Sequence, residues 1–287
     1  MTAFEMPNRA LACTVRGCGL PLERRQAQFA CAAGHAYDVA RSGYVNLLQP
    51  QDRRSLDAGD SREAVAARAA LLTAGVGRVL IDVVCAKAVS LPLGTAPVVV
   101  DLGSGSGDAL AALGERLETS GIGIDLSTAA ADRAARRFPR HTWVVANADR
   151  RLPLLDASVD LLVSLHGRRN PGEADRVLTA DGVMLIAVPA PDDLIELRQR
   201  VQGEGVARDR SDALVAAHLP RFELAERSVI SATMTLDREV LLNLLRATYR
   251  GARLASADRV ALLDRMAVTM ASEMFVLRKS QGKSIVD

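Results

Sequence analysis

The chain contains 287 residues, of which 49% are hydrophobic and 24% are charged, so it is long enough for one large domain or for a large domain with a small module. A net charge of +2 gives no general argument for binding nucleic acid, and an aromatic content of 3% leaves few rings on which bases could stack. No apolar run approaches the roughly 20 residues that span a membrane, and residues 1–11 lack the apolar core of a signal peptide, so we expect a cytoplasmic protein without a membrane partner.

Four candidate metal ligands stand near the start of the chain. Cys13 and Cys18 form one pair, and Cys31 and His35 form a second. Two chelating pairs separated by a loop suit a tetrahedral Zn²⁺ ion, and in a reducing compartment clustered cysteines bind metal more often than they form disulfides. We therefore predict a zinc-binding module over residues 1–48, with a reduced, metal-free pair as the alternative. The polar stretch 49–60 is predicted to be a linker.

The segment 61–89 has the residue spacing of helices. Alanine, leucine, valine and arginine recur there at helical intervals, and Gly75 and Gly77 interrupt the pattern. Ser61, preceded by an aspartate, is a suitable N-cap for the first helix. Cys85 lies in an apolar run and is predicted to be a buried helix residue.

Strand and helix patterns alternate after Pro97. Asn170, Pro171 and Glu173 have the order of an N-cap, a first-turn proline and a third-position glutamate, which opens a helix. Such alternation predicts an α/β fold with a mostly parallel, doubly wound sheet, and two later strands favour an antiparallel edge. The strand patterns are Val98–Asp101, Gly121–Leu126, Thr142–Ala146, Val159–Leu165, Val183–Val188, Leu224–Leu236 and Met266–Arg278.

A glycine-rich turn at residues 101–107 follows the first strand and opens a helix. Glycines allow the backbone to turn sharply and to approach a ligand closely, but dinucleotide-binding folds use nearly the same pattern. Asp101 stands before the glycines, Asp125 ends the second strand, and Asn147 follows the third, which favours S-adenosylmethionine over NAD. An NAD enzyme and a noncatalytic relative remain alternatives. The candidate cofactor residues are Asp101, Gly103, Ser104, Gly105, Gly107, Asp108, Ala109, Leu110, Asp125, Leu126, Asn147 and Ala148.

The two halves together resemble the RlmA-type 23S rRNA guanine-N1 methyltransferases, which join a zinc module to a class I methyltransferase domain with a Rossmann-like sheet. The match runs in order from Cys13 to about Leu197. Besides the glycine turn, it is carried by Cys18-Gly-Leu-Pro-Leu, Cys31-Ala-Ala-Gly-His35, Gly43-Tyr-Val-Asn-Leu-Leu48, Asp57-Ala-Gly-Asp-Ser61, Ala67-Arg68-Ala-Ala-Leu71-Leu72, Ala74-Gly75 and Arg169-Asn170-Pro171.

The resemblance implies S-adenosylmethionine-dependent methylation of a guanine N1 in a hairpin loop of 23S rRNA. It also implies a homodimer, a methyltransferase domain over residues 61–287, and in some relatives macrolide resistance. Relatives commonly have Cys-x2-Cys where this chain has Cys13-x4-Cys18, and a tyrosine where it has Gly77. They have a histidine where this chain has Asp193, which places Asp193 on the cofactor side.

The remaining candidates concern the substrate. His166, at the end of the fourth strand, is either a general base for the guanine N1 proton or a loop residue that shapes the pocket. Four arginines are candidate phosphate contacts, with solvated surface charges as the alternative: Arg53, Arg54, Arg168 and Arg169. His141 and His218 are predicted to lie at the surface. Two other functions stay open: methylation of another RNA or a small molecule, and RNA binding by a homologue with weakened catalysis.

Overall fold

The computed structural model describes residues 7–52, 59–202, 211–219, 221–248 and 264–280. Its strands are β1 (Glu23–Arg25), β2 (Gln28–Ala30), β3 (Ala36–Asp38), β4 (Val45–Asn46), β5 (Val99–Leu102), β6 (Gly121–Asp125), β7 (Thr142–Val145), β8 (Val159–Leu165), β9 (Leu178–Pro189), β10 (Phe222–Asp237) and β11 (Arg265–Lys279). Its helices are α1 (Arg62–Thr73), α2 (Arg78–Ser90), α3 (Asp108–Arg116), α4 (Thr128–Arg137), α5 (Pro171–Val177), α6 (Ile195–Gln202), α7 (Ser211–His218) and α8 (Arg238–Thr248).

An eight-stranded sheet with the order β10-β11-β9-β8-β5-β6-β7-β4 forms the centre of the molecule. The strands from β9 to β4 are parallel, and β11 runs antiparallel to both of its neighbours. The predicted α/β class is confirmed. The antiparallel strand, however, lies one position in from the edge, because β10 pairs with β11 along its whole length and forms the edge itself.

Side chains that alternate along the strands form two cores, one on each face of the sheet. Val99 points to the face covered by α2, α3 and α4, whereas Val100 points to the face covered by α5 and α7. A third cluster joins α1, α6 and α8 to the antiparallel strands β10 and β11. Helices therefore cover both faces, as a doubly wound sheet requires.

The cysteine-containing module packs directly against the sheet. Its own three-stranded sheet is β1-β2-β3, and β4, which the sequence pattern did not predict, pairs in parallel with β7. Phe29 and Leu47 are both 1% exposed and belong to the same core as Val100. The boundary at residue 48 and the linker at 49–60 stay predictions. Residues 53–58, with Arg53 and Arg54, lie outside the described part of the chain.

The predicted helix caps are confirmed. The Ser61 hydroxyl accepts from the Ala64 N–H at 3.2 Å, and Asn170 accepts from the N–H groups of Gly172 and Glu173. Cys85 is 2% exposed in α2, as predicted. In the described ranges no single helix is long and apolar enough to cross a membrane, and α1 with α2 reaches that length only as a pair bent by 77°.

The prediction that His141 and His218 lie at the surface is wrong. His141 is 9% exposed and His218 2%. His141 fits beneath α3 because Gly114 has no side chain, since a Cβ there would lie 2.4 Å from the His141 ring. Its Nδ1 accepts from the Gly121 N–H at 3.0 Å, and burial, helped by Arg140, lowers its pKa to about 4.

Candidate cofactor cleft and metal centre

A cleft of about 1660 Å³ opens at the carboxyl ends of β5, β6, β7 and β8. Ligands of open parallel sheets bind at this edge, where the loops that follow the strands converge. The glycine turn forms one wall, and the segment from His166 to Arg169 forms another. Arg68 of α1, His218 of α7 and Ser272 of β11 close the cleft from other elements.

The glycine turn is bent tightly against β6. Gly103, Gly105 and Gly107 have φ angles of +76°, +54° and +86°, in the left-handed region that side chains disfavour. The N–H groups of Gly103 and Ser104 both donate to the Ile124 carbonyl. Glycine suits these positions because the chain reverses direction there. Gly103 and Gly105 line the cleft.

Asp101 is a buried carboxyl group at the base of this turn. Asp101 is 2% exposed, and its carboxyl group makes no side-chain hydrogen bond or ion pair with the described residues. Desolvation, followed by repulsion from Asp125, raises its pKa to about 7. A buried acid of this kind favours a cationic ligand, and the ammonium group of a methionine moiety supplies such a charge.

Asp125 is prepared to accept hydroxyl groups. Its Oδ2 accepts from the Gly105 N–H at 2.9 Å, and its Oδ1 accepts from the Ser127 N–H at 2.8 Å. Burial raises its pKa although these bonds oppose the change. Each carboxylate oxygen keeps a further lone pair, so both ribose hydroxyls of a nucleoside can be accommodated. Leu126 lines the cleft beside it.

The segment after β7 lies on the cleft, but the Asn147 side chain is already engaged. Its Oδ1 accepts from the Asp149 N–H, and its Nδ2 donates to the Asp52 carbonyl at 3.0 Å. Ala148 and Asp149 line the cleft next to it. The Asn147 amide therefore joins the cofactor side to the segment that follows the cysteine-containing module, and an adenine contact by residues 147 and 148 stays a prediction.

Two candidate cofactor residues do not line the cleft. Leu110 is fully buried in the core formed with α2 and α4, and Gly107 lies against Trp143, where a Cβ would come within 2.5 Å of the indole. Asp108 and Ala109 do line it. The Asp108 carboxylate, however, forms an ion pair with Arg137 at 2.8 Å, so it mainly holds α3 against α4.

His166 projects from a strained position at the end of β8. Its φ of +55° is unusual for a residue with a side chain, and its Nε2 lies 2.9 Å from the Ser272 hydroxyl. The ring borders the open cleft, yet surrounding protein atoms desolvate it. Desolvation first, and then Arg68 and Arg169, lower its pKa to about 4, so the imidazole is neutral at pH 7.

The two arginines that follow differ in exposure. The Arg168 side chain is 79% exposed and lies 3.4 Å from Asp149, whereas Arg169 is half-buried and donates to the Gly167 carbonyl at 3.0 Å. Burial lowers the pKa of Arg169. Both line the cleft, so the structure allows a surface contact by Arg168 and a deeper one by Arg169.

Asp193, the candidate on the opposite wall, also lines the cleft. Its Oδ1 accepts from the Ala271 N–H at 2.9 Å, and burial raises its pKa to about 6. Its carboxyl group therefore holds the loop before α6 against β11. That contact gives Asp193 a structural role besides any contact with cofactor.

Arg68 and Asp60 were given no role from the sequence, although both stand within the motifs of the family resemblance. Their side chains form an ion pair, and the Asp60 carbonyl accepts from the Ser127 hydroxyl at 2.6 Å. Arg68 also donates to the Ala247 carbonyl at 3.0 Å. This network holds the segment before α1 across the mouth of the cleft, next to Asp125.

The four predicted metal ligands come together in one cluster. Their ligand atoms all lie within 4.8 Å of one another. Cys18 Sγ is 3.9 Å from Cys31 Sγ, and His35 Nδ1 is 3.4 Å from Cys13 Sγ and 3.5 Å from Cys31 Sγ. Thiolates about 2.3 Å from a tetrahedral Zn²⁺ ion lie ~3.8 Å apart, so this donor set fits zinc.

The longer spacing between the first two cysteines is absorbed by a turn. The Cys18 N–H donates to the Val15 carbonyl at 2.9 Å, and Gly17 between them has a φ of +78°. Tyr37 supports the site from behind, with its hydroxyl 3.2 Å from Cys13 Sγ. The two extra residues therefore leave the four ligand atoms close enough for one ion.

Family models match both parts of the chain. A model described as the N-terminal region of RlmA, a zinc ribbon, matches residues 12–56, and a methyltransferase-domain model matches residues 99–182. The first range contains the metal cluster, and the second contains the glycine turn and the Asp125 site. The chain is a methyltransferase that uses S-adenosylmethionine, and its ribbon binds zinc.

Curated relatives extend over most of the chain. A protein of Micromonospora griseorubida, provisionally described as a 23S rRNA (guanine-N(1)-)-methyltransferase, is 38% identical over 82% of this chain and 84% of its own length. The 23S rRNA (guanine(748)-N(1))-methyltransferase of Streptomyces fradiae is 37% identical over 78% of this chain and 80% of its own length.

Solved structures support the fold alone. The YcgJ protein of Bacillus subtilis has a TM-score of 0.51 with 16% identity and covers 70% of this chain and 98% of its own. The [4+2]-cyclase SpnF has a TM-score of 0.50 with 17% identity, over 71% and 80%. Because a [4+2]-cyclase shares this fold, the reaction of this chain must be argued from its site and from its closer relatives. Those relatives, together with the zinc-ribbon model that matches residues 12–56, show that the chain belongs to the family of RlmA-type 23S rRNA guanine-N1 methyltransferases.

Proposed function

We propose that this enzyme transfers a methyl group from S-adenosylmethionine to N1 of a guanine in a hairpin loop of 23S rRNA. The observation that carries the proposal is the pairing, within one chain, of a zinc-ligand cluster and a cofactor cleft, and relatives named for this reaction match most of that chain. The ribbon then grips the RNA, and the target base is splayed out into the cleft.

The cofactor supplies a methyl group on a positively charged sulfonium. Asp101 provides the negative charge that attracts its cationic methionine end, and Asp125 accepts the ribose hydroxyls. The turn at Gly103 and Gly105 allows the backbone to approach the ligand closely. These residues position the cofactor, and positioning accounts for most of the catalysis in a simple displacement.

The substrate side of the cleft must accept a base whose N1 proton is lost. His166 is neutral at pH 7 because its pKa is about 4, so it can accept a proton or a hydrogen bond, although the Ser272 hydroxyl shares its Nε2. Arg168, exposed at the rim, is the candidate for a phosphate contact. We assign His166 first to shaping the pocket and keep proton acceptance as the alternative role.

Mapping of 1-methylguanine in ribosomal RNA tests the function. The methyl group blocks Watson–Crick pairing, so reverse transcription stops at a modified guanine. We expect a 23S rRNA stop in wild-type cells, its loss on deletion of the gene, and its return with the wild-type gene but not with Asp125→Ala. An unchanged pattern in the deleted cells would contradict the proposal and favour another RNA or a small-molecule substrate.

A further inference from the structure

Arg169, on the loop after β8, is a half-buried cation without an acidic partner among the described residues. Arg68 and Arg168, which also line the cleft, each lie beside an aspartate. Within the described ranges, the Arg169 side chain makes one hydrogen bond, from its Nη1 to the Gly167 carbonyl at 3.0 Å. Burial lowers the pKa of Arg169, and no nearby carboxylate opposes that change. Its positive charge is therefore partly removed from water and is not used in an ion pair.

The remaining donors of Arg169 are accessible from the cleft. A guanidinium group has five N–H donors, and the Gly167 carbonyl uses one of them. None of the Arg169 nitrogens is both covered from solvent and without a partner, and the residue lines the cleft. Leu214 and Ala217 of α7 line the cleft as well and add apolar surface to it. A flat ligand that enters the cleft can therefore meet a charged donor that few water molecules surround.

The loop that carries Arg169 packs against the glycine turn. A Cβ at Gly167 would lie 2.4 Å from the Leu102 carbonyl, and a Cβ at Gly103 would lie 3.1 Å from the Gly167 Cα. The next residue, Asn170, caps α5 with its side chain. The loop is therefore held on both sides of Arg169, and its guanidinium group starts from a fixed backbone position.

We propose that Arg169 is a catalytic residue that donates a hydrogen bond to O6 of the target guanine and stabilises the negative charge that O6 gains when N1 loses its proton. This inference rests on the proposed function. The proton passes from N1 to a water molecule or hydroxide ion of the solvent, and the anion that remains carries its charge on both N1 and O6. An electron pair of N1 then forms the N1–CH₃ bond. The S–CH₃ bond breaks with its electrons left on sulfur, so the sulfonium becomes a neutral thioether.

Donation to O6 leaves N1 free to receive the methyl group. The two atoms are neighbours on the edge of the base, but O6 accepts a hydrogen bond from a different direction than the one in which N1 forms its new bond. A charged donor that is fixed where little water is present stabilises a developing anion more than water does. Phosphates stay outside when a base is splayed into a pocket, so the exposed Arg168 suits a phosphate and the deeper Arg169 suits the base. Adenine presents an amino group in place of O6 and would set one donor against another.

Measurement of a single methyl transfer, with RNA and cofactor both saturating, tests this role on a 23S hairpin that carries the mapped guanine. Arg169→Gln should lower the rate constant about 100- to 1,000-fold, and Arg169→Lys, which keeps the charge, should lower it less. The rate should rise with pH until N1 is largely ionised, and in Arg169→Gln this plateau should lie at least about one pH unit higher than in wild type. Saturating cofactor removes the contribution of Asp101. His166 and His218 are neutral above pH 7, because desolvation lowers the pKa of both.

Binding measurements separate this role from a phosphate contact and from a loss of folding. Affinity of Arg169→Gln for S-adenosylhomocysteine should stay within about twofold of wild type, which shows that the cleft is intact. Its RNA affinity should keep the salt dependence of wild type, whereas Arg168→Gln, the matched comparison, should reduce the slope of log affinity against log salt by about one.

Two results would overturn the inference. One is a saturated rate in Arg169→Gln equal to that of wild type, which with a smaller salt slope would make Arg169 a phosphate contact. The other is a slower rate whose plateau lies at the same pH as in wild type. If wild type itself methylates no 23S guanine, the proposed function fails instead.

A resonance measurement on wild type keeps the inference testable if the variants do not fold. The target guanine carries ¹⁵N at N1, and its ionisation is followed against pH in the free hairpin and in the complex with enzyme and S-adenosylhomocysteine. Binding should lower the pKa of N1 by at least about one unit, because Arg169 stabilises the anion. An N1 pKa that is unchanged or raised in the complex would overturn the assignment.

Discussion

At the scale of single residues, Asp101 combines burial with a negative charge that the described residues leave uncompensated. Its pKa of about 7 means that roughly half of the carboxyl groups are ionised near neutral pH. A cationic cofactor that binds beside it stabilises the carboxylate and lowers that pKa. Cofactor binding and proton release from Asp101 should therefore be linked.

We expect S-adenosylmethionine to bind more tightly as the pH rises from 6 to 8, with release of a fraction of a proton near pH 7. In Asp101→Asn, affinity should be about 10- to 100-fold weaker and nearly independent of pH across this range, because the ionising group is gone. Calorimetric titration in two buffers with different ionisation enthalpies measures both quantities. Equal proton release by wild type and variant would contradict the assignment.

The cofactor-free protein should show the opposite trend in stability. The folded pKa of Asp101 lies above its unfolded value of 3.8, so the folded state holds more protons and its stability falls as the pH rises from about 4 to about 7. Asp101→Asn has no buried carboxyl group to ionise. It should therefore be more stable than wild type at pH 8, by at most about 4 kcal/mol, with little difference at pH 4. Thermal unfolding without cofactor provides the comparison.

Residue patterns predicted that Asp101 and Asp125 lie on the cofactor side, because their positions relative to strands and glycines can be read from neighbouring residues in the sequence. They did not predict His218, Ser272 or Arg68, whose placement on the cleft depends on how α7, β11 and α1 pack. His141 was missed for a similar reason. The cavity that holds its ring is created by Gly114, far away in sequence.

At the scale of elements, local signals predicted the helices where capping chemistry was present. Ser61 and Asn170, both predicted as N-caps, cap the helices that follow them. Strand β4 is only two residues long, so no period-2 pattern could reveal it, and its place beside β7 is a tertiary contact. The order of β10 and β11 likewise depends on pairing that sequence patterns do not contain.

Asn170 stands in the family motif Arg169-Asn170-Pro171, and the structure gives it a capping role. Replacing it with alanine removes the acceptor for the N–H groups of Gly172 and Glu173 and should cost about 1 kcal/mol of unfolding free energy. Asn170→Asp keeps an acceptor and adds a favourable charge at the helix start, so it should be nearly neutral. Urea unfolding of both variants measures the difference. A loss equal in the two variants would argue for a role of the amide itself.

At the scale of the whole molecule, the zinc ribbon and the cofactor cleft are mechanically connected. The Tyr37 hydroxyl, beside Cys13, accepts from the Thr14 N–H at 3.1 Å, and the Thr14 hydroxyl donates to the Leu47 carbonyl at 2.7 Å. Leu47 in turn donates its N–H to Val145 of β7 at 3.0 Å. The metal site thus reaches, through a short series of hydrogen bonds, the strand that ends at the cofactor-side segment containing Asn147.

Loss of zinc should therefore weaken cofactor binding as well as RNA binding. In Cys31→Ala we expect zinc content to fall from one ion per chain to near zero and affinity for S-adenosylhomocysteine to fall about tenfold. The weaker affinity corresponds to the loss of one or two hydrogen bonds that contribute ~1 kcal/mol each. These bonds run from the Leu47 N–H to the Val145 carbonyl and from the Asn147 amide to the Asp52 carbonyl. Metal analysis and calorimetry on the same preparations test the link.

Cys85→Ala is the matched control, because it removes a buried thiol in α2 that is not part of the metal cluster. It should keep its zinc and its cofactor affinity. If Cys31→Ala loses zinc and RNA binding yet binds cofactor like the control, the ribbon acts only on the RNA. In that case the hydrogen bonds between the ribbon and β7 contribute to stability without affecting the cleft, and the two parts of the enzyme can be altered independently.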